Sequence, residues 1–113
     1  MSTRTIKLFD PQAAPTVAAA LYTVPANARA RITKLTAAVT GTTPRLLTGY
    51  LVPSGDSAAA ANTVEPGLAI AGEDAVTVSA MIGHVLEAGD TLQIIVDAGT
   101  DCTIHATGTE ETV

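Results

Sequence analysis

Prolines and glycines punctuate this chain so often that only short regular segments fit between them. Pro11, Pro15, Pro25, Pro44, Pro53 and Pro66 alternate with Gly41, Gly55, Gly67, Gly72, Gly89 and Gly99. The stretches between alternate polar and apolar residues, the period-two signature of half-buried strands. No extended helical period appears, which argues against a parallel α/β layout. Residues 4–9 alternate in this way, then Asp10-Pro11 and Ala14-Pro15 interrupt. Residues 17–24 read as a strand, because Pro15 and Pro25 confine any helix to about two turns and the β-branched residues favour extension. Residues 29–40 form a long strand in which Ile32 and Leu35 are three apart. The alternation therefore slips once, which predicts a bulge near Thr33-Lys34.

Further along, residues 45–52 place Leu46, Thr48, Tyr50 and Val52 on one face. Ala58–Ala61 forms either one helical turn or loop. Residues 63–71 hold a short strand broken by Pro66-Gly67. Residues 75–82 place Val76, Val78, Ala80 and Ile82 together. Residues 91–97 turn Leu92, Ile94 and Val96 inward, and residues 102–109 turn Cys102, Ile104 and Ala106 inward. About eight short strands at this spacing predict an all-β fold. The expected architecture is an antiparallel β-sandwich, jelly-roll-like, with an extended N-terminal arm; an immunoglobulin-like sandwich is the competitor. Residues 1–16 are expected as arm and edge strand, and residues 17–113 as a single sandwich domain.

The core available to such a fold is thin. The 113 residues include 21 Ala and 18 Thr against one Phe. Apolar burial yields about 25 cal/mol per Å², and each alanine contributes little of it. Either a partner surface supplies part of the burial, or small residues let two sheets pack closely.

Charge is split along the chain. Arg4, Lys7, Arg29, Arg31, Lys34 and Arg45 are all the basic residues, and only Asp10 accompanies them in the first 45 positions. The remaining ten acids follow with no base, so the net charge is −5. An acidic chain of this kind is not expected to bind nucleic acid. The split suggests a basic face meeting an acidic one, either on another molecule or, through strand pairing, within the same chain. No apolar run of about 18 residues is present, so no membrane-spanning helix and no membrane partner is expected.

Chemistry-bearing constellations are sparse. A hydrolase needs a nucleophile, a base and an oxyanion site. His84 and His105 are the only histidines, and Ser2, Ser54, Ser57 and Ser79 occupy no G-x-S-x-G elbow. Cys102 and His105 are three apart, so on one strand they point to opposite faces. No enzymatic activity and no cofactor is expected. A zinc site would need Cys102, His84 and His105 to converge, and no calcium-loop spacing surrounds Asp97, Asp101, Glu87 or Asp90; no metal is expected. The Ala88-Gly89-Asp90-Thr91 segment reads as a turn device.

Association is the remaining signal. The arm carries Arg4, Ile6, Lys7, Leu8 and Phe9, and can dock as an added strand on a neighbour. Phe9 either anchors a partner or covers the chain's own sheet. With Arg29, Arg31, Lys34 and Arg45, these are the expected partner-contacting residues.

Three segments carry a resemblance. They are Thr23-Val24-Pro25-Ala26-Asn27, Ile32-Thr33-Lys34-Leu35 and Tyr50-Leu51-Val52-Pro53-Ser54-Gly55, joined later by Leu86-Glu87-Ala88-Gly89-Asp90-Thr91-Leu92. The chain resembles small all-β tailed-bacteriophage virion proteins over about half its length. Where such sequences often carry an Asn near the third-strand turn, this one has Val39-Thr40-Gly41. The resemblance implies a virion structural protein. The expected role is a capsid decoration or cement protein, made in the host cytoplasm. It would self-associate as a dimer or trimer and bind the major capsid protein on the capsid surface. A tail, neck or receptor-contacting module is the alternative, with Tyr22, Tyr50 and His105 as contacts; an accessory protein of another role is the third. In the first case, removing residues 1–10 is expected to weaken particle binding while the domain still folds.

Overall fold

A computed structural model describes residues 2–112. Among these residues nine strands build two antiparallel sheets: β1 (Ser2–Ala13), β2 (Tyr22–Thr23), β3 (Ala28–Val39), β4 (Arg45–Val52), β5 (Thr63–Ile70), β6 (Asp74–Thr77), β7 (Val85–Leu86), β8 (Thr91–Val96) and β9 (Cys102–Thr112). Sheet A has the order β1-β9-β3-β6, with the two-residue β7 also paired to β3; sheet B has the order β2-β8-β4-β5. Leaving β7 aside, eight strands shuttle between two four-stranded layers, which is the jelly-roll arrangement. The strand order decides against the immunoglobulin alternative.

Three strands follow their sequence pattern closely. On β3, Ala28, Ala30, Ile32, Leu35, Ala37 and Val39 are buried. The register between β3 and β9 shifts between Ile32 and Lys34, so a bulge lies at the expected slip. On β8, Leu92, Ile94 and Val96 face the core, and on β9 Cys102, Ile104 and Ala106 do. Sheet A lines the core with many small residues, and sheet B supplies Leu47, Leu92 and Ile94 against them. Small side chains in one layer let the two sheets pack closely.

Elsewhere tertiary packing overrides the local pattern. On β4 the expected face is reversed over its first half: Leu47 and Gly49 turn inward, and Leu46 is 48% exposed. Both Leu46 and Leu47 are apolar, so alternation alone does not choose. Gly49 leaves room on the inward side, where Met81 Sδ lies 2.8 Å from the position a Cβ would take. β6 stops at Thr77, and a 3-10 turn over Ser79–Met81 follows. Val78 of the expected face is buried, and a three-residue period then buries Met81 in place of Ala80 and Ile82. β5 runs unbroken through Pro66-Gly67, which sits in a register shift on an edge strand with Gly67 at φ +62°. Of residues 17–24 only Tyr22–Thr23 pairs in a sheet. Ala18, Ala19 and Ala20 are exposed, because side chains so small gain little from burial.

β1 is a twelve-residue edge strand paired with the chain's own β9. Two register shifts, between Lys7 and Phe9 and between Phe9 and Gln12, rotate both Leu8 and Phe9 into the core. Pro11 falls in the second shift, on an edge where its missing N–H costs no ladder bond.

Candidate functional site

Strand pairing brings the two oppositely charged parts of the chain together. Arg4 on β1 lies opposite Glu110 on β9, and its guanidinium donates to Glu110 Oε1 at 2.8 Å. Tyr22, on the other sheet, donates its hydroxyl to Glu110 Oε2 at 2.5 Å. The Tyr22 and Arg4 hydrogen bonds hold the Glu110 carboxyl below the usual carboxylate range. Burial, then the bond to Glu110, holds the Tyr22 phenol protonated well beyond its ordinary range. Glu110 extends the inward series Cys102, Ile104, Ala106, Gly108 of β9, so the same alternation that marks the core could have marked this buried acid.

A second pair closes the opposite end. Arg45 on β4 donates from Nε to Asp101 Oδ1 at 2.8 Å and from Nη2 to Oδ2 at 3.2 Å. The guanidinium hydrogen bond holds the Asp101 carboxyl below its ordinary range. Arg29 meets Glu87 at 3.2 Å, and Lys7 meets Asp10 at 3.1 Å, both on the exposed surface.

The predicted contact residues therefore separate into groups. Leu8 and Phe9 are buried in the chain's own core and Ile6 packs against it, so Phe9 covers its own sheet here. Arg4, Lys7, Arg29 and Arg45 each have an acid partner within the chain. Arg31 and Lys34 form no ion pair among the described residues and are exposed. Both lie on the outer face of sheet A, where Arg31 stands opposite Thr109 and Lys34 opposite Thr107. In the next strand Thr5 and Lys7 continue the same two rows. The result is a sheet face of threonine hydroxyls and cations.

At one end of that face is an open groove of about 660 Å³. Its lining includes Thr3, Arg29, Arg31, Val85, Glu87 and Glu111. Val85 is 41% exposed and lies in register with Arg31. Sequence reasoning missed the groove, because β7, which forms one wall, is two residues long and carries no periodic signal.

The residues weighed for chemistry do not converge. Among the described residues no group of three or more His, Cys, Asp or Glu is placed to hold a metal. Cys102 is buried, and burial raises its thiol pKa. His105 Nε2 is buried without a hydrogen-bond partner. Among the described residues no helix is long and apolar enough to cross a membrane.

No family model matches the sequence. No curated protein matches it either. The fold is similar to that of a chain from the solved Bacillus endospore appendages, described as a novel family of disulfide-linked pili. The two share 18% identity over 99% of this chain and 89% of that one, with a TM-score of 0.58. A chain of infectious bursal disease virus, Gx strain, aligns at 16% identity over 96% of this chain and 31% of that one. Its TM-score of 0.43 is too low to support any argument.

Proposed function

We propose that this chain is a non-catalytic structural subunit of an assembled particle, and specifically a capsid decoration protein of a tailed phage. One observation carries the reading. Four of the six cations are held by acids of the same chain, and the remaining two stand in neighbouring rows of a threonine-rich sheet face. Such a face suits docking against another broad surface and offers no cleft of converging reactive groups. Particles present many equivalent sites, so weak contacts gain through avidity. The resemblance to phage virion segments favours a phage particle as that assembly.

The test is co-sedimentation of the purified chain with expanded shells of a tailed-phage major capsid protein. Saturable pelleting at a fixed ratio to capsid subunits is expected, weakened by Lys34→Glu. A folded chain that stays in the supernatant at every ratio overturns the reading.

A second reading is a self-assembling appendage or tail subunit. It is favoured by the fold similarity to a pilus chain over nearly the whole of both molecules. The disulfide linkage of those pili has no counterpart among these residues, since the single cysteine is buried. Filaments formed by the chain alone under the electron microscope would support this second reading over the first.

A further inference from the structure

We infer that the N-terminal strand β1 exchanges between two copies of the chain, each copy's β1 taking the seat beside the other's β9, with residues 14–21 as the hinge. This rests for its biological meaning on the reading of the chain as an assembling subunit, while the exchange itself can be tested without any capsid.

The seat is already shown to fit its occupant. β1 pairs with β9 alone. Leu8 and Phe9, buried in the core, hold it there, together with the Arg4 guanidinium on Glu110. A second copy's β1 has the same sequence, so it fills the same seat with the same contacts. Exchange of an identical element needs no new complementarity, only a connection that can open.

The connection has that property. Residues 14–21 adopt no regular structure and cross from the edge of sheet A to the edge of sheet B. Val96 N–H donates to Pro15 O at 3.0 Å, and Leu21 N–H donates to Leu92 O at 2.9 Å. The chain therefore takes six steps from Pro15 to Leu21 while β8 takes four from Val96 to Leu92. The two surplus residues push Thr16–Ala20 off the edge of β8. Val17 is left 76% exposed, and Ala18, Ala19 and Ala20 are exposed with it. Ile94, midway between the two bonded positions, receives no backbone partner from this segment among the described residues.

Opening the hinge removes the mismatch. Residues 17–24 carry a strand pattern in sequence, yet only Tyr22 and Thr23 pair. Once Pro15 leaves Val96, the register that sets Tyr22 opposite Leu92 can continue, with Ala20 opposite Ile94 and Ala18 opposite Val96. β2 then extends back to Ala18, and Pro15 lies beyond the end of β8. An extended hinge carries β1 away from its own β9, which leaves a seat open in each copy for the other's strand. Local preference and the closed fold disagree at this segment, and such disagreements are expected at functional places. Bringing two copies together costs translational and rotational freedom. Exchange is therefore favoured where copies are held side by side, as on the surface of a particle.

Disulfide trapping on the full chain tests this. Thr5 on β1 stands directly opposite Thr109 on β9, and facing Cβ atoms of such a pair are near enough to bridge. Chains carrying Thr5→Cys and chains carrying Thr109→Cys, both with Cys102→Ala to remove the other thiol, are refolded together at about 1 mM and oxidised. A covalent dimer of the two unlike chains is expected on non-reducing gels, well above the dimer formed by either variant refolded alone. Deleting Ala19 and Ala20 makes the two spans equal, so that the closed chain pairs fully along β8. The deletion should lower the covalent dimer by roughly tenfold. Circular dichroism confirms that each variant is folded, and the unaltered chain at the same concentration should sediment partly as a dimer. Unlike chains that cross-link no more than like ones overturn the inference, as does a dimer undiminished by the deletion or an unaltered chain that is wholly monomeric. If that chain still pellets with capsid shells, the decoration role stands without strand exchange. A chain that exchanges strands yet ignores the shells keeps the inference and overturns the decoration role.

Discussion

The Tyr22 hydroxyl, on β2 of sheet B, donates to the Glu110 carboxylate, on β9 of sheet A, at 2.5 Å. With Arg4 on the carboxylate's other oxygen, one acid joins the N-terminal strand, the C-terminal strand and the opposite sheet. Removing the phenol leaves Glu110 short of a donor in a place water scarcely reaches. Tyr22→Phe should therefore lower the free energy of unfolding by about 1.5–3 kcal/mol, the range for hydrogen bonds to charged groups. Urea denaturation with fluorescence-independent detection, such as circular dichroism, measures it.

The same acid sets a pH dependence. The Glu110 pKa lies lower in the folded chain than the ordinary 4.5 of the unfolded one. Its stabilisation is complete above that value and is lost as pH falls through it toward the folded pKa. Thermal midpoints should thus decline below about pH 4.5, and the part of the decline due to Glu110 should vanish in Glu110→Gln. An identical acid profile in that variant would assign the effect to other carboxylates.

The N-terminal strand is structural before it is adhesive. Leu8 and Phe9 are 5% and 7% exposed, so deleting residues 1–10 removes core as well as surface. Phe9→Ala should cost about 3–5 kcal/mol, the usual figure for truncating a buried phenylalanine. The truncated chain should then unfold at lower urea than the intact one, whereas the sequence alone predicts that the domain still folds without residues 1–10.

Gly108 lies where three strands approach closely. A Cβ there would come 2.3 Å from Arg31 O and 3.1 Å from the Leu8 side chain. The nearer atom is backbone and does not yield, so Gly108→Ala should destabilise by about 1–3 kcal/mol although it adds one methyl group. Denaturant titration decides it; a neutral variant would mean that β9 can shift at this point.

Cys102 should be inert in the folded chain. It is 1% exposed, and burial holds its thiol above the ordinary 9.0. A thiol reagent at pH 8 should label it only after denaturant is added, and non-reducing gels should show no dimer. Rapid labelling of the native chain would contradict the burial.

What could be read directly was whatever depends on near neighbours in sequence. The inward faces of β3, β8 and β9 and the bulge at Thr33 follow from a period of two, which every strand in a sandwich must obey to keep one side dry. The two exposed cations on the outer face of sheet A, Arg31 and Lys34, stand out in the sequence by their charge alone. Tertiary structure decided what depends on register between distant residues. Arg4 and Glu110 are 106 positions apart, and Arg45 and Asp101 are 56 apart. No local pattern specifies such partners, so which bases are neutralised and which stay free emerges only when the sheets close. The face of β4 followed the same rule: Leu46 and Leu47 are equally apolar, and only the packed sheets show Leu47 inside, with Gly49 beside Met81.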